Sequence, residues 1–266
     1  MRIVNLASGS KANVTFIDSG NSKVLIDAGL NEKILEERLE SIGEDILNIK
    51  AILVTHEHID HIRALKTLVK KFDIKICVHK NLENIKEIVD CKIRPENLVL
   101  FENEKFMIGD IEILPIEVSH DATCPVSFVL NKVGSVSKVG FITDTGYISK
   151  NVQEKFAGIK MVFIESNYDE EMLLNGKYPY NVKQRIFGDK GHLSNAQSLE
   201  FAKTLYNSGT RCFVLSHISE NNNTKELAYK NYAEYFEAQN LVLDKDVFIR
   251  ISYQSKCGNN FNLREE

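Results

Sequence analysis

Ile52-Leu53-Val54-Thr55-His56-Glu57-His58-Ile59-Asp60-His61 is the stretch of this chain that decides its fold and its chemistry. Its first residues form a short apolar run of the kind that makes a buried strand, and a helical pattern begins directly after it. Three of the seven histidines in the chain fall within six residues at the end of that strand. Because α/β sheets carry their binding residues at strand ends, the stretch predicts a functional site there.

The histidines and acids of this stretch have the spacing of metal ligands. In an extended backbone, residues two apart face the same way, so His56 and His58 can offer imidazoles to one ion. Asp60 and His61 can reach a second ion as the chain turns into the helix. These ligands suit Zn, Mn or Fe, and two ions about 3.5 to 4 Å apart are usual in phosphoester and amide hydrolysis. A histidine-rich surface turn without metal is the alternative.

Short β-branched runs recur along the chain, and in its later part they alternate with amphipathic helical stretches. The predicted strands are residues 3–6, 14–17, 24–26, 51–54, 75–78, 98–101, 111–118, 126–130, 138–142, 161–164, 212–215 and 247–251. The predicted helices are residues 31–41, 62–71, 81–88, 181–187, 195–206 and 224–238. Two strand-rich halves, each followed by helices, suit two packed sheets with helices outside, and one large mixed sheet is the alternative. Without an internal linker, residues 1–266 are predicted to form a single domain. The stretch from residue 252 to the end is predicted to contain only a turn, at Cys257-Gly258-Asn259-Asn260.

Charge, apolar stretches and cysteine spacing limit which classes of protein the sequence fits. Both signs of charge are interspersed and the formal net charge is −4, so any nucleic-acid surface has to be a local patch. No stretch is apolar for the length that a signal peptide or a membrane span needs, which predicts a cytoplasmic protein without membrane association. Five widely spaced cysteines without a C-x-x-C pair predict buried thiols rather than a disulfide framework.

Thr55-His56-Glu57-His58-Ile59-Asp60-His61 resembles the T-H-x-H-x-D-H signature of the metallo-β-lactamase superfamily. Later motifs of that superfamily follow in order, with Asp27 in Leu25-Ile26-Asp27-Ala28-Gly29, then His120, then Asp144 in Thr143-Asp144-Thr145-Gly146, and then His217. The resemblance implies an α/β fold, the αβ/βα four-layer sandwich of two mixed β-sheets with helices outside.

The resemblance also implies how two divalent ions, Zn, Mn or Fe, would be held. His56, His58 and His120 would bind one ion, Asp60, His61 and His217 the other, and Asp144 would bridge them. Asp27 would orient a ligand histidine through a hydrogen bond.

Outlying motifs distinguish between branches of the superfamily. Ala7-Ser8-Gly9-Ser10-Lys11-Ala12-Asn13 suits a turn that presents N–H groups to a phosphate, although a plain β-turn is the alternative. Gly191-His192-Leu193-Ser194-Asn195 resembles the segment in which related nucleases carry a catalytic histidine that is not a metal ligand. With His120-Asp121-Ala122 and Leu215-Ser216-His217, these motifs resemble the YycJ/WalJ family. That family implies a 5'→3' exonuclease acting on DNA. The chain between Asp144 and His192 is too short for the β-CASP insertion of other nucleic-acid-processing members.

The resemblance suggests a mechanism in which a hydroxide bridging the metals attacks phosphorus. Catalytic roles fall on His192, Asp60 and Asp144, with His192 donating a hydrogen bond or proton to the leaving oxygen. Glu165 either supports this site or is a structural carboxylate, and His79 is predicted to be structural. The residues predicted to bind the substrate are Ser8, Ser10, Asn13, Ser194 and Asn195.

A local patch is the candidate for DNA binding. Its basic members are Lys11, Lys177, Lys183, Arg185 and Lys190, and its aromatic members are Tyr168, Tyr178, Tyr180 and Phe187. A solvated helix face with aromatics in the core is the alternative. Two other functions stay open at this point. They are a small-molecule hydrolase that acts on a cyclic nucleotide, lactone or thioester, and a non-catalytic metal-binding module that regulates a partner.

Overall fold

The computed structural model describes residues 1–263, and residues 264–266 of the predicted domain lie outside that range. The first of its two sheets contains the strands β1 (Arg2–Ala7), β2 (Val14–Asp18), β3 (Lys23–Ile26), β4 (Ala51–Leu53), β5 (Lys75–His79), β6 (Leu98–Phe101) and β14 (Asn260–Asn262). Their order in the sheet is β14-β1-β2-β3-β4-β5-β6. Neighbours are antiparallel from β14 to β3 and parallel from β3 to β6, so the sheet is mixed.

The second sheet repeats this arrangement. Its strands are β7 (Phe106–Ile108), β8 (Ile111–Glu117), β9 (Val126–Lys132), β10 (Lys138–Ile142), β11 (Met161–Glu165), β12 (Cys212–Ser216) and β13 (Phe248–Ile251). They lie in the order β13-β12-β11-β10-β9-β8-β7. The pairs from β7 to β10 are antiparallel, and those from β10 to β13 are parallel.

Helices connect the parallel strands and cover the outer faces. They are α1 (Glu32–Ser41), α2 (Ile59–Ile62), α3 (Leu65–Lys71), α4 (Lys86–Val89), α5 (Lys150–Phe156), α6 (Glu170–Asn175), α7 (Tyr180–Phe187), α8 (Asn195–Asn207) and α9 (Lys225–Ala238). None of these helices, which all belong to the described residues, is long and apolar enough to span a membrane.

Alternation of side chains along the strands produces the layers. In β2, Phe16 packs toward α1, whereas its neighbour Ile17 packs into the layer between the two sheets. In β11, Phe163 enters the same inter-sheet layer, and Ile164 packs on the other side with residues of α8 and α9. The predicted αβ/βα sandwich is therefore confirmed, and the alternative of one large mixed sheet is wrong.

Several predicted elements need correction. The helix predicted over 62–71 is divided into α2 and α3, because the Ala64 N–H donates to the carbonyl of Ala28 (2.9 Å) rather than to its own helix. The helix predicted over 81–88 is a 3₁₀ turn followed by the short α4. The C-terminal stretch contains β14 besides the predicted turn, and Phe261 of β14 lies opposite Ile3 and is buried between the sheets. β7 was not predicted.

Candidate metal centre

The predicted site residues lie close together because they follow strands of both sheets that end at the same edge of the sandwich. Asp27 follows β3, His56 and His58 follow β4, Asp144 follows β10, and His217 follows β12. All four of these strands have parallel neighbours, and their carboxyl ends lie at one edge of the sandwich.

Three of these residues leave their strands in an unusual backbone conformation. Asp27, Asp144 and His217 have φ angles of 60°, 58° and 53°, in the left-handed region that residues other than glycine seldom adopt. Such a conformation costs on the order of 1–3 kcal/mol and persists where the surroundings enforce it. Its recurrence at three strand ends around one point indicates a site whose geometry is held at the expense of stability.

His56, His58 and His120 form the first cluster, in which ligand atoms lie within 4.8 Å of one another. Nε2 of His56 is 3.0 Å from Nδ1 of His58. Nδ1 of His120 is 3.1 Å from the carbonyl oxygen of Gly191, and as the donor there it leaves a lone pair on Nε2. Burial lowers the pKa of His56 well below its ordinary value, which favours the neutral imidazole that binds metals.

Asp144 stands between this cluster and a second group of ligands. Its Oδ2 is 3.3 Å from Nε2 of His61, and its Oδ1 is 3.1 Å from Nδ1 of His217 and 3.9 Å from Nε2 of His120. Oδ2 of Asp60 lies 3.4 Å from Nε2 of His61. Burial raises the pKa of Asp144, but the neighbouring charges of His217 and His61 outweigh burial and hold the pKa well below its ordinary value. Asp144 is therefore an ionised carboxylate in contact with both predicted ligand sets.

Two further buried carboxylates, of Asp27 and Glu165, contact the Nδ1 atoms of histidines. Oδ2 of Asp27 is 2.8 Å from Nδ1 of His61, and its oxygens also accept hydrogen bonds from the backbone N–H and hydroxyl of Thr55. Oε1 of Glu165 is 2.8 Å from Nδ1 of His192 and 2.9 Å from Nδ1 of His217. Burial raises the pKa of Glu165, but these two histidines outweigh it and lower the pKa to about 2.

Unpaired buried atoms test whether the residues fit metal ions. Nε2 of His217 and Oδ2 of Asp144 are buried and have no hydrogen-bond partner among residues 1–263. Leaving such atoms unpaired costs roughly 1–3 kcal/mol each, unless a group that is absent from the protein chain engages them. Imidazole nitrogens and carboxylate oxygens are the ligands that Zn, Mn and Fe take, so the residues fit divalent metal ions.

The residues predicted to bind the substrate have different surroundings. Ser10 is exposed on the turn after β1, whereas the Ser8 hydroxyl accepts the backbone N–H of His217 (2.7 Å). The side-chain amide nitrogen of Asn13 lies 3.3 Å from Oδ2 of Asp60 and 3.1 Å from Nε2 of His61.

Ser194 and Asn195 are buried at the start of α8, and their polar groups are used within the fold. The Ser194 hydroxyl accepts the N–H of Gln197 (3.2 Å) in a capping box, and Oδ1 of Asn195 accepts the hydroxyl of Ser166 (2.6 Å). Their side chains therefore position the segment that carries His192 rather than face solvent.

The predicted DNA patch is partly paired within the protein. Lys11 forms an ion pair with Glu220 (2.7 Å), Nζ of Lys183 donates to a backbone carbonyl, and Arg185 contacts Asp121. Tyr168 is buried, as the alternative interpretation expects. Tyr180 is 77% exposed and Phe187 is 36% exposed, so these two aromatics remain available at the surface.

His79 forms a separate group with Glu117 and Cys124, with ligand atoms within 4.8 Å. Its Nδ1 accepts the backbone N–H of Asn81 (3.2 Å), so a neutral His79 carries its proton on Nε2 and has no lone pair there for a metal. This geometry favours the structural role that the sequence predicts for His79.

Two residues are more central than the sequence indicated. Thr55 contacts Asp27, Nδ1 of His56 (3.0 Å) and Nδ1 of His61 (3.2 Å), and its only signal was its place directly before the histidines. Glu165 was predicted to be either supporting or structural, and its position at a strand end was the available signal.

Comparisons with known proteins show the family and the fold. A family model described as "Beta-lactamase superfamily domain" matches residues 22–218. The exodeoxyribonuclease YycJ of Bacillus anthracis is 34% identical over 87% of this chain and 88% of its own length. The exodeoxyribonuclease WalJ of Streptococcus pneumoniae is 35% identical over 84% of both chains. The crystal structure of YhfI, a metallo-β-lactamase fold protein from Bacillus subtilis, superposes with a TM-score of 0.72 at 14% identity, over 98% of this chain and 99% of that one.

Proposed function

We propose, from the premise that this chain belongs to the β-lactamase superfamily and within it to the YycJ/WalJ family, that it is a metal-dependent 5'→3' DNA exonuclease. The observation that carries the proposal is Asp144, an ionised carboxylate that touches His61, His120 and His217 at once. The names of the relatives supply the substrate class, and a DNA substrate agrees with the predicted cytoplasmic location.

We assign the centre two divalent ions, Zn, Mn or Fe. One would be held by His56, His58 and His120, and the other by Asp60, His61 and His217, with Asp144 shared between them. When bound, such ions provide positive charge for a phosphate and lower the pKa of water, which is the chemistry that phosphodiester hydrolysis needs.

His192 is the proposed proton donor. Its Nδ1 lies 2.8 Å from Oε1 of Glu165, and in this role Nδ1–H donates to that buried carboxylate, which fixes the ring. The His192 side chain is 21% exposed, so its Nε2 can reach a molecule that enters from solvent. In this arrangement Glu165 orients the ring, and His192 donates a hydrogen bond or proton to the leaving oxygen.

Residues around the turn after β1 hold Asp60 and His217 in place. The Asn13 amide next to Asp60 orients that carboxylate, and Ser8 holds the backbone of His217. Among the five residues predicted to bind the substrate, Ser10 is exposed and stays in the proposal as a direct contact. Ser8, Asn13, Ser194 and Asn195 act through the residues that they hold in place.

Substrate profiling separates this proposal from a small-molecule hydrolase. Metal-loaded wild-type protein and the Asp144→Asn variant would be tested on linear DNA, RNA, a cyclic nucleotide, a lactone and a thioester. We expect turnover of DNA that is lost in the variant. Turnover of a small ester or diester without any degradation of DNA would contradict the nuclease proposal and support a small-molecule hydrolase. Metal binding without turnover of any substrate would favour the non-catalytic module.

A further inference from the structure

In most of the proposed ligand histidines, the ring nitrogen that would not bind the metal lies beside an oxygen atom. A histidine that binds a metal through one nitrogen usually donates the other N–H to an oxygen, which fixes the ring and its tautomer. The oxygens found at this position are Thr55 Oγ1 for His56 (3.0 Å), Asp27 Oδ2 for His61 (2.8 Å), Gly191 O for His120 (3.1 Å) and Glu165 Oε1 for His217 (2.9 Å).

At His58 the corresponding oxygen lies farther from the ring, at 4.0 Å. Its Nδ1 faces Nε2 of His56 at 3.0 Å, inside the three-histidine cluster, so Nε2 is its outward nitrogen. Among residues 1–263, the carboxylate of Asp121 lies beside it, with Oδ1 4.0 Å from Nε2 of His58 and 3.3 Å from Nε2 of His120.

The Asp121 carboxylate is placed for a role at this cluster. Its Oδ1 is buried and has no hydrogen-bond partner within residues 1–263, although the side chain as a whole is 28% exposed. A carboxylate oxygen withdrawn from water in this way has lost hydration without a compensating hydrogen bond, which is unfavourable. A donor at His58, or positive charge in the cluster, would remove that cost.

Arg185 fixes the other oxygen of Asp121. Its Nε donates to Oδ2, and the Arg185 side chain is 65% exposed, reaching in from α7. No residue of α7 is buried, so the ion pair is one of the contacts that hold this helix against the site. The same helix carries the exposed Tyr180 and leads through Phe187 toward Gly191 and His192.

We infer that Asp121 is a positioning residue for the metal subsite formed by His56, His58 and His120, and that Arg185 holds it there. Oδ1 of Asp121 accepts the Nε2–H of His58, and closing the 4.0 Å gap to a hydrogen bond of about 2.9 Å requires a small turn of a ring that is 31% exposed. The inference rests on the proposed metal centre, and it links the position of α7 to metal affinity.

Metal binding in the absence of DNA tests the inference. The variants Asp121→Asn, Asp121→Ala and Arg185→Ala would be compared with Asp244→Asn, which breaks a matched surface ion pair with Arg250 (2.6 Å). Asn is well suited to the left-handed backbone of Asp244 (φ 63°). Zinc and manganese affinities would be measured by competition with a chromophoric chelator. Zinc-loaded, ¹⁵N-histidine-labelled protein would report the Nε2 proton of His58 by NMR.

We expect Asp121→Ala to lower the affinity for one of the two bound ions by roughly 10- to 100-fold. The same variant should lose the slowly exchanging proton signal of His58 Nε2. Asp121→Asn and Arg185→Ala should have smaller effects in the same direction, and Asp244→Asn none. Wild-type affinity and an unchanged His58 signal in Asp121→Ala would overturn the inference. If Asp121→Ala melts early without metal, the surface variant Arg185→Ala decides by the same two readouts. A wild type that binds metal but degrades no DNA would overturn the proposed function alone.

Discussion

Three carboxylates that are almost completely withdrawn from water define the site at the scale of single residues. Asp27, Asp144 and Glu165 are each at most 3% exposed, and each lies within 3.3 Å of at least one histidine nitrogen. Burial opposes their charge, and the facing histidines restore it for Asp144 and Glu165. For Asp27 burial prevails, and its pKa is raised despite the contact with His61. We therefore propose that these acids support the metal centre.

Glu165→Gln tests the role of the shared carboxylate. The amide keeps the size of the side chain, but it removes the charge that faces His192 and His217, so both rings lose the charged acceptor that orients them. We expect the rate of DNA degradation to fall by roughly 10- to 100-fold, the range for partners of this kind. Initial rates at saturating metal would measure the effect. Glu171→Gln, an exposed acid of α6, is the matched control and should retain the wild-type rate. An equal loss in both variants would contradict the assigned role.

At the scale of elements, backbone contacts between loops hold the ligands. The N–H of Asn13 donates to the carbonyl of Asp60 (2.8 Å), and the N–H of Gly29 donates to the carbonyl of Asn13 (3.0 Å). A Cβ added at Gly29 would lie 1.6 Å from the carbonyl oxygen of Asp60. Gly29, which ends the sequence Asp27-Ala28-Gly29, is therefore needed for the close approach of the loop after β3 to the segment that carries Asp60 and His61.

Gly29→Ala is expected to displace the segment around Asp60, because backbone rather than a flexible side chain occupies the space of the new methyl group. The predicted result is a lower melting temperature together with weaker metal binding. Thermal melts and metal content after dialysis would measure both. Gly20→Ala is the matched control, since its φ of 94° strains an alanine but no atom lies within 4 Å of the added Cβ. If Gly20→Ala also lost metal, the weaker metal binding of Gly29→Ala would have to come from general destabilisation.

Sequence patterns located most strands and the segments that carry the ligands, because long apolar runs and closely spaced histidines are strong local signals. They missed β14, where a single apolar residue, Phe261, lies between two asparagines and pairing with β1 decides the structure. The division of α2 from α3 depends on a contact with Ala28, far away in the sequence. Ser194 and Asn195 follow His192 closely in the sequence, but burial and hydrogen bonds direct them into the fold. Such tertiary effects leave no local signature.

At the scale of the molecule, the site belongs to neither sheet alone. Asp27, His56, His58 and His61 come from the first sheet and its loops, and Asp144, Glu165 and His217 come from the second. The layer between the sheets joins them through side chains such as Ile17, Leu53, Phe128 and Phe163. The geometry of the proposed ligands therefore requires both sheets to be folded and packed.

The chain is predicted to unfold as one domain. Cys77 in the first sheet and Cys212 in the second both pack in or against the inter-sheet layer, and burial raises the pKa of each thiol to about 12. Alkylation at increasing urea, read for each cysteine by mass spectrometry, should label both thiols over one transition that coincides with the loss of far-UV circular dichroism. Labelling of one thiol at clearly lower urea than the other would instead indicate two units.

We propose that this centre removes nucleotides from the 5' ends of DNA, and end-labelled DNA tests this most directly. Linear double-stranded DNA labelled at the 5' or the 3' end would be incubated with manganese-loaded wild type, Asp144→Asn and His192→Ala, with a covalently closed circle as the control substrate. We expect early release of the 5' label by the wild type, an intact circle, and little or no release by either variant. Untouched linear DNA with fully metal-loaded wild type, or cleavage of the circle, would contradict the proposal.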